Sequence, residues 1–157
     1  MGVDFARNFA GRDQQAIGHS LGGALSATMA GAAGIDATTF NSAGLHDRTM
    51  ATVSMDRSQY QDRVTNYRVE NELVTYGQES PVVQAAVTAA LPGLAAIASI
   101  RNSGDPIPNA VGGQHTISAA NPDSSRLDKH GMREVMESLF QEQQRVIDDL
   151  KARQAAR

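Results

Sequence analysis

Residues 64–69 (Val-Thr-Asn-Tyr-Arg-Val) alternate apolar and polar positions and are rich in β-branched side chains, a period of two that predicts a strand. Residues 36–41 (Asp-Ala-Thr-Thr-Phe-Asn) are a second β-prone run, closed by Ser42-Ala43-Gly44-Leu45. Residues 14–18 read as a short extended run into a turn, and residues 114–118 as one more short strand. Between the first two strands, residues 21–33 carry mostly alanine, glycine and other small side chains and predict a closely packed helix, with Gly31 and Gly34 marking its end. Residues 46–62 are polar, helical or irregular, with Met50, Val53, Met55 and Tyr60 as apolar points. Residues 70–80 begin as a loop, and residues 104–109 and 121–125 are loops by composition. From about 129 to 153 a helical period places Met132, Val135, Met136, Leu139, Phe140, Val146, Ile147 and Leu150 on one face, with fraying from Arg153 onward. Residues 3–10 look like the end of a helix before the first strand. This alternation of strands and helices predicts an α/β fold, a mostly parallel sheet flanked by helices, in one domain over residues 1–157.

One uncharged segment departs from the alternation. Residues 82–100 approach the length of a membrane span, but alanine dominates them and Pro92-Gly93 interrupts them. Two short helices within an apolar insertion at about 80–103 fit better, covering a core face or capping a lipid site. The formal net charge is −3 and no basic cluster is interleaved with aromatics, so nucleic acid is not an expected partner. Cysteine is absent, which excludes disulfides and thiolate metal sites without choosing a compartment. No basic stretch followed by an apolar run opens the chain, so no signal peptide is visible.

Chemistry concentrates at Gly18-His19-Ser20-Leu21-Gly22-Gly23, where the predicted strand turns into the predicted helix. A serine in this position fits a nucleophile elbow: a strained backbone presents its hydroxyl at the carboxyl end of the sheet. Gly18 and Gly22 would remove side chains where strand and helix approach, and the helix amino terminus would face the site with its N–H groups. The alternative is a glycine-rich turn in which Ser20 merely caps the helix. A nucleophilic serine needs a base, and the base needs a carboxylate to orient it. In α/β-hydrolases the order along the chain is serine, acid, histidine. Of the four histidines, His19 lies within the elbow and suits a structural or site-lining, substrate-binding role, and His46 precedes every credible acid. His115 lies in a predicted strand as a half-buried, hydrogen-bonded residue, whereas His130 follows the last strand, where chain order puts the base. Glu70 and Glu72 both follow the 64–69 strand and both qualify as the acid, with Asp105 in its Gly-Asp-Pro turn as the runner-up. The backbone N–H of Leu21 would stabilise an oxyanion, and the second donor normally comes from an earlier strand–helix loop. Only 13 residues precede the predicted strand before Ser20 in the expected order of elements, so the chain is expected to be the carboxyl-terminal portion of a hydrolase domain without its first strands.

Gly18–Gly23 followed by Ala24-Leu25-Ser26-Ala27 resembles the GHSLGGALA elbow of class 3 lipases, and Thr39-Phe40-Asn41-Ser42-Ala43-Gly44 resembles their next strand and loop. Tyr67-Arg68-Val69-Glu70-Asn71-Glu72-Leu73-Val74 is similar to the family strand that ends in an N-D-x-V acid loop, with glutamate for the usual aspartate. Ile107-Pro108-Asn109-Ala110-Val111-Gly112 and Asp128-Lys129-His130-Gly131-Met132 resemble a bacterial subgroup of lipase- and phospholipase-like secretion-system effectors. The resemblance favours Glu72 over Glu70 and matches His130 to the base. It implies a serine carboxylic ester hydrolase acting on lipids, a triacylglycerol lipase or a phospholipase A with a Ser-His-Glu triad and no metal or cofactor. The implied partners are a lipid or phospholipid ester, a membrane surface, and secretion machinery or an immunity protein, which leaves secretion as an effector and the cytoplasm both open. The alternatives are a catalytically incomplete hydrolase-like module used for binding or assembly, and a thioesterase or peptidase using the same three residue types.

Overall fold

The computed structural model describes residues 14–54, 56–90 and 108–157. Strand β1 (Gln15–His19) runs into helix α1 (Leu21–Ala33), which ends at left-handed Gly34 before strand β2 (Asp36–Phe40). Helix α2 (Asp47–Thr52) and a 3-10 turn (Ser58–Tyr60) lead to strand β3 (Val64–Val69). Helices α3 (Leu73–Glu79) and α4 (Pro81–Ala90) follow, then strand β4 (Gly113–Ile117) and helices α5 (Arg126–His130) and α6 (Met132–Ala155). The strands form one parallel sheet in the order β1-β2-β3-β4, with Gln15 opposite Asp36, Ala37 opposite Val64 and Thr65 opposite Gly113. Parallel neighbours require crossovers that carry helices over the sheet, as the predicted α/β pattern demands.

Small side chains set the spacing on one side of the sheet. Ala24, Ala27 and Ala30 of α1 share a buried cluster with Ala16, Ala37 and Val64, closed by Met50 and Tyr60. A second cluster gathers Val69, Ile117, Ala119 and Val135, with Phe40, Tyr67 and Leu139 against it. Successive strand residues face opposite sides, so β2 and β3 contribute to both clusters. A polar row crosses the sheet as well, from buried Thr39 and Asn66 to exposed Gln114. Thr39 Oγ1 donates to Asn66 Oδ1 at 2.9 Å, and Asn66 Nδ2 donates to Gln114 Oε1 at 2.7 Å.

Three predicted features change. The stretch after β3 is not a continuing loop, because the Glu72 carboxylate caps α3 by accepting the Val74 and Thr75 N–H groups. The predicted single helix over 129–153 is two: Gly131, with extended ψ of 146°, separates α5 from α6, so His130 closes the shorter helix and does not open the longer one. The buried face of α6 is centred on Glu134, Val135 and Ser138, while Met136, Phe140, Val146 and Leu150 are exposed. Polar residues occupy that face because the loop after β4 needs acceptors: Glu134 Oε1 accepts the Asn121 N–H at 2.8 Å and Ser138 Oγ accepts that of Ala120 at 3.0 Å. Helix α4 is the first of the two helices expected over 82–100. Its proposed continuation past Pro92-Gly93, the helix end over 3–10, Met55, and Asp105 with most of its loop lie outside the described residues. Among the described residues no helix is long and apolar enough to cross a membrane.

Candidate active site

Ser20 joins β1 to α1 with φ 55° and ψ −124°, a backbone conformation that a residue with a Cβ adopts only under constraint. The constraint is visible in its hydrogen bonds. The Ser20 N–H donates to Phe40 O at 3.1 Å, continuing the β1–β2 ladder, while its carbonyl accepts Gly23 N at 3.0 Å and Ala43 N at 3.0 Å. Its side chain makes no capping bond to α1, so the account of Ser20 as a simple N-cap does not describe it. Gly18 is required here, since a Cβ would lie 2.2 Å from the Gly22 carbonyl oxygen. Gly22 is not required for the same reason: a Cβ there would meet nothing within 4 Å. The close approach falls one residue later, where a Cβ on Gly23 would lie 2.6 Å from Ser42 Oγ in the loop after β2. Leu21 opens α1, and helix geometry leaves its N–H and that of Gly22 without a carbonyl partner inside the helix.

The Ser20 hydroxyl points to the end of α5, where Oγ lies 2.8 Å from His130 Nε2. On the other side of the ring, His130 Nδ1 lies 2.6 Å from Glu72 Oε2. An ionised carboxylate only accepts, so Nδ1 carries the proton and Nε2 is left to accept from the serine. Glu72 has no exposed surface. Burial pushes its pKa up, but the bonds from His130, Thr75 and Val74 outweigh that and hold it below the ordinary glutamate value of 4.5. The carboxylate is therefore ionised at neutral pH, buried, and fully engaged. Ser20, His130 and Glu72 thus form one continuous hydrogen-bonded row at the carboxyl ends of the strands. Among the described residues, no group of three or more His, Asp or Glu side chains is arranged to hold a metal ion.

The sequence model of the Tle-like phospholipase domain, a phospholipase-like family, matches residues 1–123. The chain belongs to that family. The match includes Ser20 and Glu72 and stops short of His130. A search of curated proteins finds no match.

In this Tle-like domain the remaining sequence candidates sit elsewhere. Glu70 points to the loop after β4, its Oε1 accepting the Ala119 N–H at 3.3 Å. His46 caps α2, Nδ1 accepting the Arg48 N–H at 2.9 Å. His115 is exposed on β4 and not half-buried, its ring 5.4 Å from that of Tyr67, β4 being the terminal strand on that side among the described residues. His19 lies beside the row: its Nε2 donates to the His130 carbonyl at 2.7 Å, with the two rings 5.0 Å apart. Sequence reasoning passed over Asn41, which also reaches the His130 carbonyl. An asparagine closing a strand, a residue type that tolerates left-handed backbone, was the available signal.

Proposed function

We propose that this chain is a serine carboxylic ester hydrolase acting on lipid, of the phospholipase type, built on an α/β-hydrolase plan. The observation that carries the reading is the row from the strained, non-capping Ser20 through His130 to buried Glu72. Ser20 Oγ attacks the ester carbonyl carbon as its proton passes to His130 Nε2. Glu72 holds the ring in the tautomer that accepts this proton and stabilises the imidazolium that results. The Leu21 N–H faces the oxyanion of the tetrahedral intermediate. His130 then returns the proton to the leaving alkoxide oxygen, the carbon–oxygen ester bond breaks, and an acyl group remains on Ser20. A water gives its proton to His130 and attacks the acyl carbon, and the proton goes back to Ser20 as the fatty acid leaves. No metal or organic cofactor enters these steps. Membership of the Tle-like phospholipase family favours a phospholipid ester over a triacylglycerol as the substrate. The resemblance of residues 107–112 and 128–132 to secretion-system effectors supports a bacterial effector with secretion machinery or an immunity protein as its partner.

The test is covalent labelling of the full chain with a fluorophosphonate, followed by mapping of the modified residue. Labelling at Ser20, with hydrolysis of a short-chain p-nitrophenyl ester lost in Ser20→Ala, is the expected result. A Ser20→Ala protein that hydrolyses the ester at the wild-type rate would end the reading. A second reading has its own observation. β1 is the terminal strand among the described residues, and Ile17, Leu21 and Leu25 beside it are 67%, 69% and 59% exposed. Apolar surface of this kind beside the terminal described strand favours a module used for binding or assembly, and that module would bind no fluorophosphonate at Ser20.

A further inference from the structure

We propose that Asn41, with His19 as a second donor, is a positioning residue that clamps the backbone of His130 so that its ring spans Ser20 and Glu72. The proposal rests on the roles given to those three residues above. Helix α5 has only five residues and ends at His130, because Gly131 turns the chain to an extended conformation. The carbonyls of Lys129 and His130 therefore have no donors from a continuing helix. Asn41 supplies them: its Nδ2 donates to Lys129 O and to His130 O, both at 3.0 Å. His19 Nε2 donates to the same His130 carbonyl at 2.7 Å. A carbonyl only accepts, so this nitrogen of His19 carries its proton.

The other end of the Asn41 amide is tied to the strand that delivers the acid. Asn41 Oδ1 accepts the Val69 N–H at 2.9 Å at the end of β3, and the Glu72 N–H in turn donates to Val69 O at 3.3 Å. One side chain without any solvent exposure thus bridges the strand that leads to Glu72 and the helix that carries His130. The backbone of Asn41 is also committed, with φ 43° and its N–H on Tyr67 O at 2.8 Å. Polar groups this deeply buried, with both amide donors and the oxygen engaged, fix a geometry more sharply than apolar packing does. The two bonds of the His130 ring hold only its side chain, whereas the clamp holds the peptide from which the ring projects. A displacement of about 1 Å in a reacting group costs about 100-fold in rate.

The experiment uses the full chain and four substitutions. Asn41→Gly removes the amide and suits the positive φ. Asn41→Asp keeps the acceptor for Val69 but turns an oxygen on the two carbonyls. His19→Ala removes the second donor and His19→Gln retains an N–H. The readouts are kcat and KM on p-nitrophenyl butyrate, the rate of fluorophosphonate labelling, and the low-field proton resonance of the His130 Nδ1–H. Both Asn41 variants are expected to lower kcat and labelling about 100-fold with KM unchanged, and to lose or broaden the resonance. His19→Gln should stay closer to the parent than His19→Ala in all three. Asn41 variants with the parent's labelling rate and resonance would overturn the proposal. If neither Asn41 variant melts cooperatively, the His19 pair decides, and equal behaviour of Ala and Gln at position 19 overturns it. A Ser20→Ala protein with parental turnover would instead sink the functional reading, and the resonance, which needs no turnover, would still decide on Asn41.

Discussion

Tyr60 lies in the α1-side core with no solvent exposure, and its hydroxyl has no hydrogen-bond partner among the described residues. Burial accordingly pushes its pKa up. An unpaired buried hydroxyl opposes folding, so Tyr60→Phe should leave stability unchanged or raise it by about 1 kcal/mol. Urea unfolding of the two proteins, compared at equal slope, measures this. Other single residues show where sequence runs out. Alternation along an extended strand would put Glu70 and Glu72 on one side, yet the structure separates them, Glu70 to the β4 loop and Glu72 to His130. Asn71 between them has φ 58°, and one left-handed residue reverses the chain and breaks the alternation. Position after β3 offers two neighbouring glutamates and the family resemblance favours Glu72 as the candidate acid, but only the backbone angle at Asn71 shows how the chain separates the two.

Glu72 also belongs to an element, because the carboxylate that meets His130 is the cap of α3. Its folded-state pKa is depressed, so the stability it contributes is complete above the ordinary value of 4.5 and is lost as pH falls through the lower folded value. Glu72→Gln should therefore cost about 1–2 kcal/mol near neutral pH, and the gap between the two melting temperatures should close in acid. Thermal melts from pH 7 to pH 3 check the sign. Helix α6 offers the second test at this scale. Val135 is fully buried and Phe140 is 62% exposed, so Val135→Ala should cost about 2 kcal/mol while Phe140→Ala stays within about 0.5 kcal/mol. Apolar periodicity alone gives the two positions similar weight. Strand β3 and helix α1 were legible residue for residue, the one from alternation and the other from a run of small side chains bounded by glycine. Helix α3 was not, since its cap is a glutamate, outside the usual capping residues. The α5–α6 break was hidden because every position of the apolar period, from Met132 to Leu150, lies after Gly131 and so carries no signal about the turn before it.

Across the whole molecule, sheet order follows chain order, with β1, β2, β3 and β4 side by side and parallel. Every carboxyl end then opens on the same edge, and Ser20, Asn41 and Glu72 arrive there from three successive strands. Chain order could place His130 after the last strand, but only tertiary contacts could show that its backbone is held from β2. The hydrogen bond from Ser20 to His130 spans 110 positions, nearly the full span from the first strand to the last helix. A local fluctuation that lifts the α5 turn away would leave the described strands paired and the two apolar clusters largely intact. The hydroxyl would then stand idle on an otherwise sound scaffold. The ester cleavage proposed for this row should thus be more fragile than the fold, vanishing at gentler heat or lower denaturant than the architecture itself.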